Sequence, residues 1–301
     1  MRDLAQFTVG EWLRLQPCQD ALKQWRNDIW QRHYQSLRAE GQASFLDGLA
    51  GQAQGLGLVV AFEQPWALNW QLKMARVHLS DMRLLVFDNS RRPEMRRQIA
   101  DVCRANEVPY LGLPANPTRH VNRSHGFAMN WIYHNVVREL RPAHFAFIDH
   151  DMIPVLDSSC FRPLAAQPVY GLPNVSEWAW QLWAGYCAFD GAFVENRALN
   201  FLYDFSNGLD TGGRNWRPVY RTLPREQLKM ADRAFPEVAD PLSGALAKVE
   251  MIDNSWFHIG NISYNNVFQQ KAELCQNLAS ALDEGATWLE LCPAMAVGRS
   301  E

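Results

Sequence analysis

The chain has 301 residues, 48% of them hydrophobic and 20% charged, which is enough apolar material for a sizeable core in one large domain or two modest ones. With 29 Lys and Arg against 32 Asp and Glu, the net charge is -3, which removes the broad attraction that non-specific nucleic-acid binding relies on, so nucleic acid is not an expected partner. The six cysteines show no Cys-x-x-Cys spacing and predict reduced, cytoplasmic thiols, and neither an apolar signal core nor an uncharged run of bilayer-spanning length is visible, so membrane contact is expected to be peripheral at most.

Residues 1 to about 50 read as helical. Leu22, Trp25, Ile29 and Leu37 fall near helical spacing, while Lys23, Arg26, Asp28 and Arg38 occupy other faces. With Trp12, Trp25 and Trp30, this region predicts either a layer packed on the rest of the protein or a docking arm for a partner or a membrane surface. Glycines at 41, 48, 51, 55 and 57 mark a flexible boundary after it.

From residue 58 strands alternate with helices, the pattern of a mainly parallel sheet with helices on its faces. Strands are expected at 58–62, 83–87, 109–113 and 144–148. Helices are expected near 66–79, 92–106 and 124–140, the last capped by Ser124 and carrying Ala128, Ile132, Val136 and Leu140 along one face. Beyond 150 the pattern loosens into an aromatic segment from Trp178 to Phe193, a turn at Asp210-Thr211-Gly212-Gly213, a Pro-punctuated stretch to about 245 and a strand-like segment from Met251 to Ile259. After about 265 the chain reads as helical again.

Ligands of open parallel sheets bind beyond the carboxyl ends of the strands. The apolar strand Phe145-Ala146-Phe147-Ile148 ends there in Asp149-His150-Asp151. Side chains alternate along a strand, so the two carboxylates leave on one side and can converge on a divalent cation that holds a diphosphate. About one Asp-x-Asp triplet is expected by chance in a chain with this much Asp, so position supplies the weight. His150 is expected to point away and is assigned no role. Asp88 ends the second strand at the same cleft; it can accept hydrogen bonds from a nucleotide or serve as a turn former before Asn89 and Ser90. Glu63, just past the first strand, is its companion.

Over residues 58–265 the chain resembles the GT-A glycosyltransferases, most nearly the family 2-like members. The resemblance is carried by Val86-Phe87-Asp88-Asn89-Ser90, by Asn122-Arg123-Ser124-His125-Gly126-Phe127-Ala128-Met129-Asn130, by Phe147-Ile148-Asp149-His150-Asp151 and by Trp256-Phe257-His258-Ile259-Gly260, in the family's order. It implies a GT-A-like α/β catalytic domain at 58–265, a helical N-terminal extension at 1–57 and a helical tail at 266–301. It further implies Mn²⁺ or Mg²⁺, a UDP- or GDP-sugar donor and a hydroxyl acceptor on a glycan, a lipid or a small molecule. Asp151 is then expected to touch the metal, Asp149 to share it or to accept from ribose hydroxyls, and Asp88 to meet the base or ribose. His258 is the implied third metal ligand, its other reading being a hydrogen-bonded core histidine.

Asp210 leads as general base of an inverting transfer, with Glu177 and Asp190 as competitors and a plain Asp-Thr-Gly turn as the other reading. The family's usual acidic base motif is not reproduced. Arg123, before an expected helix N-terminus, would steady the diphosphate, as would Arg214, Arg217 and Arg221. Trp178, Trp180, Trp183, Tyr186 and Phe189 either stack on an acceptor sugar or pack in the core. Two other classes use similar residues: a metal-dependent nucleotidyltransferase or phosphohydrolase, and a non-catalytic sugar- or nucleotide-binding module. Ala61-Phe62-Glu63-Gln64-Pro65 lacks the Gly-rich phosphate loop that would favour the former.

Overall fold

The structure is a computed structural model that describes residues 2–51, 55–260, 262 and 269–297. Helices α1 (Val9–Leu13), α2 (Gln16–Ser36) and α3 (Gln42–Asp47) come first. The alternating part follows as β1 (Gly55–Ala61), α4 (Pro65–His78), β2 (Arg83–Asp88), α5 (Pro93–Ala105), β3 (Tyr110–Gly112) and α6 (Val121–Ile132). After α6 the helix widens into a π turn at Tyr133–Val137, closes as α7 (Arg138–Leu140) and gives way to β4 (His144–Asp149). Then come β5 (Met152–Pro154), β6 (Val169–Val175), β7 (Trp180–Asp190) and α8 (Gly191–Val194). Short strands β8 (Arg233–Ala234), β9 (Glu237–Ala239), β10 (Leu246–Lys248), β11 (Glu250–Ile252) and β12 (Trp256–His258) precede α9 (Gln269–Asp283), α10 (Trp288–Leu291) and α11 (Ala294–Val297).

The architecture is the expected mainly parallel sheet flanked by helices. Six strands run in the order β3-β2-β1-β4-β7-β6, and only β7 opposes its neighbours. Side-chain alternation sends Leu58, Phe87, Phe145 and Phe147 to one face, against α6, and Val59, Val86, Ala146 and Ile148 to the other, against α4 and α5. Both faces are buried, which is why these strands read as unbroken apolar runs. Truncating Phe147 to Ala would cost about 3–5 kcal/mol. A third cluster joins α4 to β5, β11, β12, α9 and α10 through Trp70, Ile153, Phe257, Leu278 and Trp288.

Several boundaries differ from the sequence reading. Gly55 and Gly57 belong to β1, not to a flexible boundary: a Cβ at Gly55 would lie 2.6 Å from the Phe161 ring, and one at Gly57 would lie 2.4 Å from Met82 Sδ. Close packing, not freedom of the chain, requires glycine there. Helix α6 is capped by His120, whose side chain accepts from the Arg123 N–H, and Ser124 is buried within the helix, where it accepts from Asn89 Nδ2. The loosely patterned region contributes β6 and β7 to the central sheet, paired with a register shift between Gly171 and Pro173. Helix α2 turns its apolar stripe outward, since Leu22, Trp25 and Ile29 are exposed while Asn27, Gln31 and Tyr34 are buried. No helix among the described residues is long and apolar enough to cross a membrane.

Candidate active site

The regular strand β4 stops at Asp149, and residues 150 and 151 form a turn. Gln71 of α4 holds that turn by donating through Nε2 to Asp149 O at 2.7 Å and Met152 O at 2.8 Å. On one side β7 runs antiparallel to β4, with Tyr186 opposite Ile148, which leaves Gly185 and Trp183 beside the Asp149 carboxylate. On the other, β12 pairs with β5, His258 opposite Met152, and Ile259 N–H donates to Asp151 O at 3.0 Å. Strand pairing thus carries His258, far away in the chain, to within 3.8 Å of Asp151, measured from Nε2 to Oδ2. Its other ring nitrogen, Nδ1, lies 2.9 Å from Glu250 Oε2.

These residues border a cavity of about 300 Å³ at the carboxyl ends of the strands. Val60 and Phe62 line it from β1 and its exit, Asn89 from the end of β2, Asp149, His150 and Asp151 from β4 and its turn, and Trp183 and His258 from β7 and β12. His125 of α6 completes the wall, its Nε2 3.6 Å from Asp149 Oδ1. The His125 and Asp149 side chains keep 22% and 23% of their exposure, so a ligand can reach them.

Burial and neighbouring charges compete at the cavity. Burial, with the Asp151 charge added, raises the Asp149 pKa to about 7. Burial lowers His125 to about 4, against the pull of Asp210 and Asp151, so this imidazole is neutral at physiological pH. Burial also works against protonation of His258, but the Glu250 hydrogen bond and the Asp151 charge outweigh it and hold the ring above its usual value. His150, expected to point away, lines the cavity because the turn ends the alternation; its Nε2 is buried without a hydrogen-bond partner among the described residues.

The other site residues expected from sequence fall in several places. Asp88 is fully buried: its carboxylate accepts from the Ser90 N–H at 2.7 Å and the Tyr110 hydroxyl at 3.0 Å, and Asn89 takes the cavity-facing position. The turn-forming reading is the one observed. Glu63 accepts from the Arg91 and Arg92 N–H groups at 2.8 and 3.0 Å and pairs with the Arg92 guanidinium, tying the β1 exit to the start of α5 instead of lining the cavity. Arg123 reaches Tyr203 Oη at 3.2 Å and is not part of the cavity wall. Arg214 pairs with Asp28, and Arg217 and Arg221 with Asp3, so all three are engaged with the N-terminal region.

Asp210 accepts from Gln181 and, at 3.5 Å, from Asn174 Nδ2. Thr211 Oγ1 donates to Asn122 O at 3.2 Å, docking this loop on the start of α6; like Arg123, Asp210 is not part of the cavity wall, but it lies close enough to His125 for the two to influence each other's charge. Burial raises the Asp210 pKa, and the Gln181 and Asn174 hydrogen bonds oppose it. Of its competitors, Glu177 is exposed, and Asp190 pairs in register with His144 at the amino end of β4 and caps α8, at the wrong end of the strands. Of the aromatic patch, Trp183 alone lines the cavity, 5.0 Å from His258 between ring centroids; Trp180, Tyr186 and Phe189 are core residues. Sequence reasoning missed Gln71, Gly185 and His125. Only His125 carried a signal, its place in the segment that opens α6.

The donor set of two carboxylates and an imidazole suits a hard or borderline divalent cation. Among the described residues no three His, Cys, Asp or Glu side chains are gathered into a preformed cage. A larger hollow of about 900 Å³ opens beside Gly55, His144 and Phe161, at the amino ends of β1 and β4, remote from these groups.

No protein-family model and no curated protein matches the chain. Among solved structures, it is similar to the mannosyltransferase PcManGT from Pyrobaculum calidifontis, in complex with GDP-Man and Mn²⁺, at 10% identity and a TM-score of 0.42, covering 92% of this chain and 75% of that one. It is also similar to glucosyl-3-phosphoglycerate synthase from Mycobacterium tuberculosis, in complex with Mn²⁺ and uridine-diphosphate-glucose, at 12% identity and a TM-score of 0.32, covering 51% and 61%. TarS of S. aureus matches at 12% identity and a TM-score of 0.34, covering 49% and 30%. The chain therefore spans less than two thirds of the synthase and of TarS. At these levels the chemistry of the site is read from its own residues.

Proposed function

We propose that the protein is a metal-dependent glycosyltransferase that moves a sugar from a nucleotide-diphosphate donor to an acceptor hydroxyl. The observation that carries this reading is the meeting of Asp149, Asp151 and His258 around one cavity at the carboxyl ends of a mainly parallel sheet. Asp151 and His258 would hold the cation, with Asp149 sharing it or taking ribose hydroxyls. A bound Mn²⁺ or Mg²⁺ would supply charge compensation for the departing diphosphate. His150 Nε2, buried and unpartnered, would donate to a donor phosphate or sugar oxygen. Trp183 offers a ring face to a sugar. Asp210, outside the cavity wall but raised in pKa and close enough to His125 for their charges to interact, would take the proton from the acceptor hydroxyl in an inverting transfer. The acceptor belongs to a glycan, a lipid or a small molecule. All six cysteines are free thiols, which supports a reducing, cytoplasmic setting.

The test is a screen of UDP- and GDP-sugars for Mn²⁺-dependent thermal stabilisation, followed by assay of nucleoside-diphosphate release and sugar transfer. At least one donor is expected to stabilise the protein only with metal, and Asp151→Ala to abolish the shift. An unchanged shift in that variant would remove Asp151 from the site. Binding without turnover would favour a non-catalytic module.

A further inference from the structure

Helix α2 turns polar residues toward the protein and apolar ones toward solvent. On its inner side Asn27 donates to Tyr203 Oη at 2.9 Å, the Tyr34 hydroxyl donates to Pro114 O at 3.0 Å, and Asp28 pairs with Arg214. These contacts set the rotation of the helix about its axis. The opposite side therefore presents Cys18, Leu22, Trp25 and Ile29, spaced four, three and four residues apart as one stripe. Leu22 is 66% exposed, Trp25 61% and Ile29 42%. Leu13 in α1 and Leu15 at the junction add apolar surface at 81% and 61% exposure.

The exposed charges beside this stripe are mainly basic. The exposed charged residues of α2 are Lys23, Arg26 and Arg32, with His33 exposed near them. Its acidic residues are both paired: Asp20 accepts from Gln16 and lies 3.8 Å from Lys23 Nζ, and Asp28, its side chain 40% exposed, pairs with Arg214.

We propose that this face of α2 docks on an anionic lipid bilayer, the helix lying in the headgroup plane with Leu22, Trp25 and Ile29 in the acyl boundary. An apolar stripe containing Trp and flanked by basic residues suits such an interface, and Lys and Arg complement the surface potential of acidic lipids. A second copy would set basic flank against basic flank, which electrostatic complementarity disfavours. This surface is independent of the transfer chemistry, so either reading can fail alone.

The experiment is co-sedimentation of the full chain with phosphatidylcholine vesicles and with vesicles that also contain phosphatidylglycerol. The protein is expected to sediment with the anionic vesicles, less so as salt rises, and to stay in solution with the neutral ones. The double variant Leu22→Ser/Ile29→Ser, at exposed positions and with an unchanged melting temperature, should lower partitioning about tenfold or more. Lys23→Glu/Arg26→Glu should erase the preference for anionic lipid. The proposal is overturned if the wild-type chain ignores both vesicles, if both double variants bind as it does, or if the stripe instead mediates a dimer or captures an acidic amphipathic peptide without binding lipid.

Discussion

Gly185 in β7 lies so close to Asp149 at the end of β4 that a Cβ on residue 185 would stand 2.5 Å from Asp149 Oδ2 and 2.4 Å from the Trp183 ring. Glycine here lets the sheet bring a carboxylate and an aromatic face to the same cavity wall. Gly185→Ala must displace one of them, at a cost of about 1–3 kcal/mol from overpacking. The expected outcome is a modest fall in melting temperature with a much weaker Mn²⁺-dependent response to donor, read by calorimetric titration. A response equal to wild type would mean that neither Asp149 nor Trp183 contributes to binding.

Glu250 fixes the His258 ring through Nδ1 and leaves Nε2 for the cavity, the arrangement by which a carboxylate orients a metal-binding imidazole. Glu250→Gln is expected to lower Mn²⁺ affinity by about 10–100-fold. Arg233→Gln removes the Arg233 Nε contact to Glu250 Oε1 at 2.9 Å and should have a smaller effect. Metal titration followed by thermal shift distinguishes the two; equal affinities in wild type and Glu250→Gln would leave His258 outside the coordination sphere.

Asp210 is held above the ordinary carboxylate range chiefly by burial. A general base works ionised, so the transfer rate should rise with pH through this raised pKa, with an acid limb displaced upward from the ordinary 3.8. Asp210→Asn should lower kcat by about 10²–10⁴-fold, remove that limb and leave donor affinity intact. A variant that retains both rate and limb would transfer the role elsewhere.

Glu63 is a fastening between loops. Burial opposes its charge, but the hydrogen bonds from Arg92 and Arg91 prevail and its pKa is lowered from 4.5. The unfolded chain then takes up the proton more readily than the folded one. Its stabilisation is therefore complete above pH 4.5 and is lost as pH falls through the lower folded value. Solvent screening limits it to about 1 kcal/mol or less. Glu63→Gln should melt slightly below wild type at neutral pH, the gap should close in acid, and donor affinity should not change. A large loss of donor affinity at constant stability would return Glu63 to the nucleotide site.

The legible parts of the site were those encoded locally. An apolar strand running into Asp149-His150-Asp151 declares both the strand and its acidic tip, and the β1 to β4 alternation could be followed by eye. Strands β6 and β7 could not: Gly171, Pro173 and a register shift between them interrupt β6, and Gln181 and Gly185 break the aromatic run of β7, so neither shows a continuous apolar stretch. Asp88 and Asn89 show the limit at single-residue scale: both end the same strand, and only the turn geometry decides which one faces the cavity. His150 was misread for the same reason, as alternation no longer holds once the strand has stopped.

Helix α2 adds a second kind of limit. Its apolar spacing was plain, but periodicity defines a face without saying which way it looks. The direction came from Asn27, Asp28 and Tyr34, whose partners Tyr203, Arg214 and Pro114 lie far along the chain.

The strand and helix alternation from β1 to β4, the acidic strand tip and the charge balance follow from neighbours along the chain and from counting. Folding brings His258 to face Asp151, crowds His125 and Gly185 against Asp149, and sets Glu63 and Asp88 to hold loops in place. Those relationships arise from strand pairing and close packing between distant segments, and nothing in local composition carries that information.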